Sequence, residues 1–419
     1  MQTKLTSDRL ITVDSLRGFA LLGIMLAHFI FWYTAGPLPD NAYGKYNDLG
    51  SQIANVFNNL FITGKFFAFF SFLFGLSFYL QMRGLQHDPE TFLRRYSWRL
   101  ILLLIIGLAH HALWMGDILS IYAPLGFVLL MLRKMNNKWV LITGILLALN
   151  LPGKIIGIVQ ILNHTQQNFG DFATMAKTYN AVIDHGSLID ILKYNLNHLS
   201  TKFEFRVNSG RLFITLGFFL LGMFTGRKRW FENGIESKPV FKKICKRSAL
   251  VMSIALACGL GMFAADALLK LGWQQNQYAG YIFMIFYDIF NAGMVIFFIS
   301  GLTLLMYKKA GQTLFFPMAP VGKMALSSYI TQTIFGLIVF YGIGFHLYTK
   351  TSPALNYLIA IVFFMCQLLF SKWWLRYFNY GPLEWLWRSG TLLKWQPMVK
   401  QKRDSIPLVI PTGDTVIIR

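Results

Sequence analysis

Charge is scarce in this sequence. Asp, Glu, Lys and Arg make up only 14% of its 419 residues, and the acidic ones number 18 against 39 basic. Soluble domains carry about a quarter charged residues, and a soluble chain of this length would form two or three domains. With 55% hydrophobic residues and a positive mean hydropathy, that arrangement is excluded. Cysteine is also scarce. Cys245, Cys258 and Cys366 have neither CxxC nor metal-ligand spacing, and none falls in a segment assigned below to the outside. Neither a structural disulfide nor a metal site is expected. There is no G-x-S-x-G, no Walker loop, no HExxH and no Rossmann glycine pattern, which disfavours the enzyme classes built on them. No internal repeat stands out, so an inverted-repeat transporter gains no support.

What the chain does have is apolar runs of bilayer-spanning length, about 20 residues each. The candidate spans are 13–33, 55–80, 97–114, 117–133, 138–160, 209–226, 247–270, 279–306, 322–345 and 353–375. Backbone polar groups find no water in hydrocarbon, so these segments must be helices. The first run is too long for a signal-peptide core and carries His28, so it reads as a retained helix. The formal net charge of +21 would suggest nucleic acid in a soluble protein. Here the cations cluster in short loops on one side, as the positive-inside rule requires, facing anionic headgroups. With Lys4 and Arg9 inside, so are Arg83, Arg94, Arg95 and Arg99, then Arg133, Lys134 and Lys138, the group 227–247, Lys308, Lys309 and Lys323, and the C-terminal cations. One span more or fewer would put a basic cluster on the wrong side. The expected fold is an all-α integral membrane bundle of about ten transmembrane helices with both termini cytoplasmic, in a bacterial inner membrane. The partners are the lipid bilayer and no nucleic acid, and a homo-oligomer is left open.

Residues 1–395 read as one polytopic membrane domain. The stretch 161–208 is its outer insertion, with Phe172, Met175, Ala176 and Tyr179 spaced as in short interfacial helices. Residues 396–419 read as a flexible cytoplasmic tail.

Ionisable groups inside spans are expensive and usually face a cavity or a partner. On the first helix, Asp14, Arg17 and His28 fall within about 60° of one another. Asp14 and His28 are 14 residues apart, about 21 Å of rise, so they serve different ends of one tunnel rather than one triad. At the depth of His28, the third span ends in His110 and His111, and Asp117 opens the fourth. A histidine near a carboxylate is the usual general-base arrangement. Adjacent residues point about 100° apart, so one of the two histidines is expected to face inward. Glu204, Arg206 and Arg211 stand where the insertion enters the sixth span. Asp288, Asn291, Gln332 and Thr333 are further intramembrane polar groups, suited to interhelical hydrogen bonds. Trp373, Trp374, Trp385 and Trp387 read as an interfacial belt.

Several blocks, in order along the chain, resemble the YeiB-like family of bacterial membrane proteins, domain of unknown function 418. They are Asp14-Ser-Leu-Arg17-Gly18-Phe-Ala-Leu-Leu-Gly23, Phe72-Leu-Phe-Gly75, Arg94-Arg95 with Gly107-Leu-Ala-His110, and Gly116-Asp117-Ile-Leu-Ser-Ile-Tyr122. Further on come Leu221-Gly222-Met223 with Gly226-Arg227, Val321-Gly322-Lys323-Met324-Ala-Leu with Tyr329, and Gly381-Pro382-Leu383-Glu384-Trp385. That family is distantly similar to membrane acyltransferases that decorate envelope sugars and to the lysosomal enzyme that acetylates heparan glucosamine. Those enzymes also open the first helix with Asp-x-x-Arg and follow it with a histidine implicated in acyl transfer. The offset from Asp14 to His28 resembles that of the sugar O-acyltransferases, whereas many YeiB-like proteins carry asparagine near that position. The resemblance implies an acyl-CoA co-substrate without a metal, and an envelope glycan or lipid acceptor. Arg17, held by Asp14, would grip the donor's phosphates with Arg94, Arg95 or Arg99, because a guanidinium meets phosphate oxygens in pairs. His28 would act as base or acyl carrier, oriented by Asp117 or His110. The alternative is a transporter or flippase whose path runs along the same stripe, with Asp288 and Asn291 at its midplane.

Overall fold

Runs such as Phe66-Phe-Ala-Phe-Phe-Ser-Phe-Leu-Phe-Gly-Leu carry no charge and no proline, and each closes its own hydrogen bonds as a helix. The computed structural model describes residues 2–34, 45–84, 88–163, 170–273, 276–400, 408–409 and 415–416. Among these the architecture is helical: α1 (Gln2–Thr34), α2 (Leu49–Phe57), α3 (Phe66–Gly84), α4 (Pro89–Leu113), α5 (Leu119–Met131), α6 (Asn137–Ala148) and α7 (Leu151–Leu162). The chain continues through α8 (Gly170–His185), α9 (Leu188–Asn197), α10 (Leu199–Asn208), α11 (Arg211–Arg227), α12 (Lys238–Leu269) and α13 (Gln277–Met306). It ends with α14 (Lys309–Phe315), α15 (Ala319–Lys323), α16 (Ala325–Phe340), α17 (Pro353–Tyr377) and α18 (Pro382–Leu392). One two-residue antiparallel pair, Leu408–Val409 with Thr415–Val416, lies in the tail.

Six of the helical segments are long and apolar enough to cross a membrane, or nine if each of three bent pairs counts as one span. The bent pairs are α6 with α7, α10 with α11, and α14–α15 with α16, at 49°, 70° and 84°. The run expected at 117–133 forms α5, whose 13 residues rise about 20 Å, short of the ~30 Å hydrocarbon thickness. Helix α12 turns Leu250, Ile254, Leu260 and Phe263 outward, and α17 does the same with Leu358, Val362, Met365 and Leu369. Outward apolar faces on the peripheral helices are what a lipid solvent requires.

Two glycine pairs set how closely the central helices approach. A methyl group on Gly18 would stand 2.2 Å from the Met318 carbonyl oxygen, and one on Gly322 would stand 1.8 Å from that of Asp14. Helices α1 and α15 therefore touch backbone to backbone. The same holds for α3 and α11, where Gly75 faces the Phe219 carbonyl and Gly222 the Phe72 carbonyl. All four glycines lie in the sequence blocks singled out above, and small residues at membrane helix contacts have this use.

The insertion 161–208 holds the short helices α8, α9 and α10, which pack one face against the bundle. Ala176, Tyr179, Ile183 and Ile191 are buried, and Lys202 is 3% exposed. Phe172 and Met175 lie outside the described side chains. The first residues of the tail are docked too: the Asn379 N–H donates to the Met398 carbonyl and the Lys400 N–H to that of Tyr377. Residues 401–407, 410–414 and 417–419 lie outside the described set, and so does most of the expected flexible tail.

Substituting Gly322→Ala should cost about 1–3 kcal/mol by overpacking, seen as a lower thermal midpoint in detergent. Gly261→Ala, on α12 with nothing within 4 Å of the added carbon, should be neutral or gain up to about 1 kcal/mol.

Candidate functional site

Where α4 meets α5, a carboxylate has been taken entirely out of solvent. Asp117 is 0% exposed. Its Oδ1 lies 2.7 Å from His110 Nδ1 and accepts from the Leu119 N–H at 2.9 Å. Its Oδ2 accepts from the Ser120 N–H at 2.9 Å and from Lys202 Nζ at 3.3 Å. The two backbone donors are the open N–H groups that begin α5, a natural seat for an anion.

The network fixes the tautomers of both histidines. With its Nδ1–H given to Asp117, His110 accepts at Nε2 from the Thr333 hydroxyl, 2.9 Å away on α16. Lys202 donates to His111 Nδ1 at 3.1 Å and to Ser120 Oγ at 2.9 Å. His111 Nε2 then donates to the Asn195 carbonyl at 2.8 Å, and Asn195 returns a bond to the Ala112 carbonyl. Both histidines are buried, which corrects the expectation that one would face away. His110 looks across the bundle to α16, and His111 looks towards α9 and α10.

His28 stands beside this network but not in it. Its ring sits edge-on to Trp114 at 4.5 Å and 6.2 Å from Tyr329, and His110 contacts the same two rings at 5.9 and 5.1 Å. Among the described residues His28 has no hydrogen-bond partner, so Asp117 orients His110 and not His28. Two buried donors nearby are also unpaired among the described residues, Arg206 Nε and Trp114 Nε1. The Arg206 guanidinium lies within electrostatic reach of His28, Asp117, Tyr122 and Tyr329. A buried donor without an acceptor is rare enough to require an explanation.

The other end of the α1 stripe is 14 residues away and basic. Arg17 donates to Asp14 Oδ1 at 2.5 Å and to Ser77 Oγ at 2.6 Å. A cavity of about 210 Å³ begins at Arg17, Gln81, Arg99, Lys323 and Glu384, continues past Leu73, Phe74 and Leu103, and ends on Ile118 and Tyr329. Tyr329 is the ring that His28 and His110 both contact, so the cavity runs from the basic end to the neighbour of the two histidines, neither of which lines it. Arg99 stacks on Trp387 at 3.6 Å, while Arg94 and Arg95 are exposed and line neither this cavity nor the larger one. Glu384 closes the mouth by accepting from the Leu326 and Ser327 N–H groups at 2.6 and 3.1 Å and from the Ser327 hydroxyl. It thereby caps α16 with a charge, although burial pushes its carboxyl above the usual range.

The larger cavity, about 1090 Å³, lies among α3, α7, α11 and α13, with Arg211, Tyr281 and the pair Lys154–Asp288 in its wall. That pair is 2.7 Å apart. Asn291 lines the same cavity. Gln332 bonds Gln367 at 2.9 Å, an interhelical tie. Trp374, Trp385 and Trp387 each donate an indole N–H to a carbonyl, while Trp373 is 49% exposed.

In the structure the sequence blocks meet, with Gly381–Glu384 against Ser327 and Gly18 against Gly322 of α15. The family described as "Protein of unknown function (DUF418)" matches residues 225–394. The chain is 31% identical to the uncharacterized protein YxaH of Bacillus subtilis, over 96% of this chain and 99% of that one. The chain belongs to the YeiB-like family. It is also 25% identical to the uncharacterized protein YeiB of Escherichia coli over 94% of this chain and 99% of that one, and 25% identical to an uncharacterized 39.9 kDa protein of Bacillus acidopullulyticus over 94% and 97%. No solved structure matches. Within a YeiB-like chain, the Gly226-Arg227 block also finds a structural use. Arg227 donates to the carbonyls of Arg133 and Met135 and to Asn137 Oδ1, locking the α5–α6 turn.

Lys202 was the residue that sequence reasoning missed. It lies in a polar stretch with no motif, and α10 carries it inward together with Arg206. Asp117→Asn should leave Lys202 buried without its counter-charge, at a cost of about 3–5 kcal/mol read from unfolding in detergent. Adding Lys202→Met should restore part of that loss, because both charges then leave together.

Proposed function

We propose that this YeiB-like protein is a membrane-embedded acyltransferase. It takes an acyl group, most simply acetyl, from a cytoplasmic acyl-CoA and gives it to an envelope glycan or lipid. The observation that carries this reading is the cavity that joins a basic mouth at Arg17 and Arg99 to Tyr329, against which His28 and His110 both rest. The supporting frame is a ten-span bundle in a bacterial inner membrane. In it α5 and its flanking turns complete the fourth span, both termini are cytoplasmic, and the Asp14–Arg17 end of α1 faces the cytoplasm. The one-sided distribution of Lys and Arg supports that orientation.

In this reading Arg17 and Arg99 hold the donor's phosphates, with Asp14 and Ser77 fixing the Arg17 fork. The pantetheine arm follows the apolar wall of Leu73, Phe74 and Leu103. The acceptor hydroxyl or amine attacks the thioester carbonyl, and its proton passes to His28, whose ring nitrogens are free to take it. The C–S bond then breaks, and the proton goes on to the departing thiolate. Arg206 Nε and Trp114 Nε1 are unpaired donors of the kind that stabilise a developing oxyanion. Asp117, Lys202 and His110 form the fixed base of the site.

A second reading is transport of a lipid-linked or small hydrophobic substrate, favoured by the larger cavity and its Lys154–Asp288 pair. Flux in proteoliposomes that depends on Asp288, without group transfer, would be its signature.

The test is transfer of radiolabelled acetyl from acetyl-CoA into glycans and lipids of vesicles holding the protein. Wild type should incorporate label, His28→Ala should lose about 10²–10⁴ of the rate, and Arg17→Ala should chiefly raise the KM for the donor. Incorporation by His28→Ala at the wild-type rate would remove His28 from the mechanism. No incorporation by any form would shift the balance to transport.

A further inference from the structure

At the end of the bundle where α1 finishes, the loop between α16 and α17 folds back onto the last turn of α8. The Gly342 N–H donates to the Ile183 carbonyl at 2.9 Å, and the Thr349 N–H to the Tyr33 carbonyl at 3.2 Å. Tyr348 donates to Asn180 Oδ1 at 2.6 Å, and the hydroxyls of Tyr179 and Tyr341 lie 3.2 Å apart. These contacts fix the positions of Asp184 and His346. His346 has a φ of 57°, a left-handed backbone that a non-glycine residue adopts only when its surroundings hold it there. Its Nε2 is in contact with Asp184 Oδ1, and the other oxygen of the same carboxylate is 3.3 Å from His185 Nε2. All three side chains offer ligand atoms within 4.8 Å of one another.

We propose that Asp184, His185 and His346 form a binding site for a divalent transition-metal ion, and that zinc is the ion the donor set favours. Two imidazole nitrogens and one carboxylate are borderline ligands that suit zinc. Calcium and magnesium prefer all-oxygen shells. Tetrahedral zinc with bonds of about 2.0–2.2 Å holds its ligand atoms roughly 3.3 Å apart, so small rotations of side chains already converging would complete the shell. His185 is 76% exposed, which gives the ion an entry path and leaves a position for water. Cysteine spacing pointed to no metal. The ligands here are histidines 185 and 346, far apart in sequence and joined only by the fold.

Such an ion would staple the α16–α17 loop to α8. Helices α8 to α10 carry Lys202 and Arg206 into the interior, so occupancy would stabilise the cover over the buried network. The site does not depend on whether the protein transfers acyl groups.

The experiment uses the full chain in detergent, stripped with a chelator and titrated with zinc alone by calorimetry and thermal unfolding. Expected results are one zinc per chain, an upward shift of the melting temperature, and no shift with magnesium. His185→Ala, an exposed position that folding tolerates, should weaken binding by at least ~10-fold. Asp184→Asn and His346→Ala should abolish it, and His198→Ala should leave it unchanged. The proposal is overturned if zinc does not bind, leaving a plain Asp–His hydrogen-bonded clamp. It is equally overturned if His185→Ala binds like the wild type, which would mean an adventitious ion only.

Discussion

A carboxylate without solvent must be surrounded by donors, and Asp117 is surrounded by four: the Leu119 and Ser120 amides, His110 and Lys202. Removing a charge from water costs several kcal/mol, and good geometry only offsets that cost. The chain therefore has to bring α4, α5 and α10 together at one point. The insertion that begins after α7 is drawn inside the bundle because Lys202 is needed there as the counter-charge. Once Lys202 is in place, Asn195 and His111 complete the polar chain, and Tyr179, Ile183 and Ile191 fill the apolar space around it. The fold at this end follows from one buried negative charge.

The opposite end obeys a different constraint. Glycine pairs let α1 touch α15 and α3 touch α11 at backbone distance, which draws Arg17, Ser77 and Lys323 to one mouth. Glu384 from α18 then caps α16 from outside, and Arg99 stacks beneath Trp387. A polar mouth on an apolar cavity that reaches Tyr329, the ring beside His28 and His110, follows from these contacts. Under the proposed acyl transfer, the α1 stripe would place cations where a charged donor group enters and His28 where a proton must be taken.

Much of this was legible in the sequence, for physical reasons. Uncharged runs of spanning length can only be helices in hydrocarbon, and the described residues are helical there. The polar face of α1 followed from helical periodicity. His110 and Asp117 could be paired because only a short turn separates them. Other features were not legible. Phe-rich periodicity did not reveal that α5 is short or that the chain bends around Asn150, Gly210 and Met324, since those breaks depend on packing. Lys202, Arg206 and the Asp184–His346 contact depend on how a polar insertion folds back, and no local pattern encodes that. Arg94 and Arg95 shared the basic character of Arg99 but point outward, a difference of helix phase that only packing decides.

The account rests on the smaller cavity being the donor channel, and a comparison of cavity-filling variants tests this most directly. Binding of radiolabelled acetyl-CoA by the purified protein would be measured in wild type, in Ala325→Trp, which fills the channel, and in Ile156→Trp, which fills the larger cavity. The account predicts that Ala325→Trp loses binding while Ile156→Trp keeps it. The opposite pattern, with binding lost only in Ile156→Trp, would contradict the assignment and move the ligand to the cavity of the Lys154–Asp288 pair.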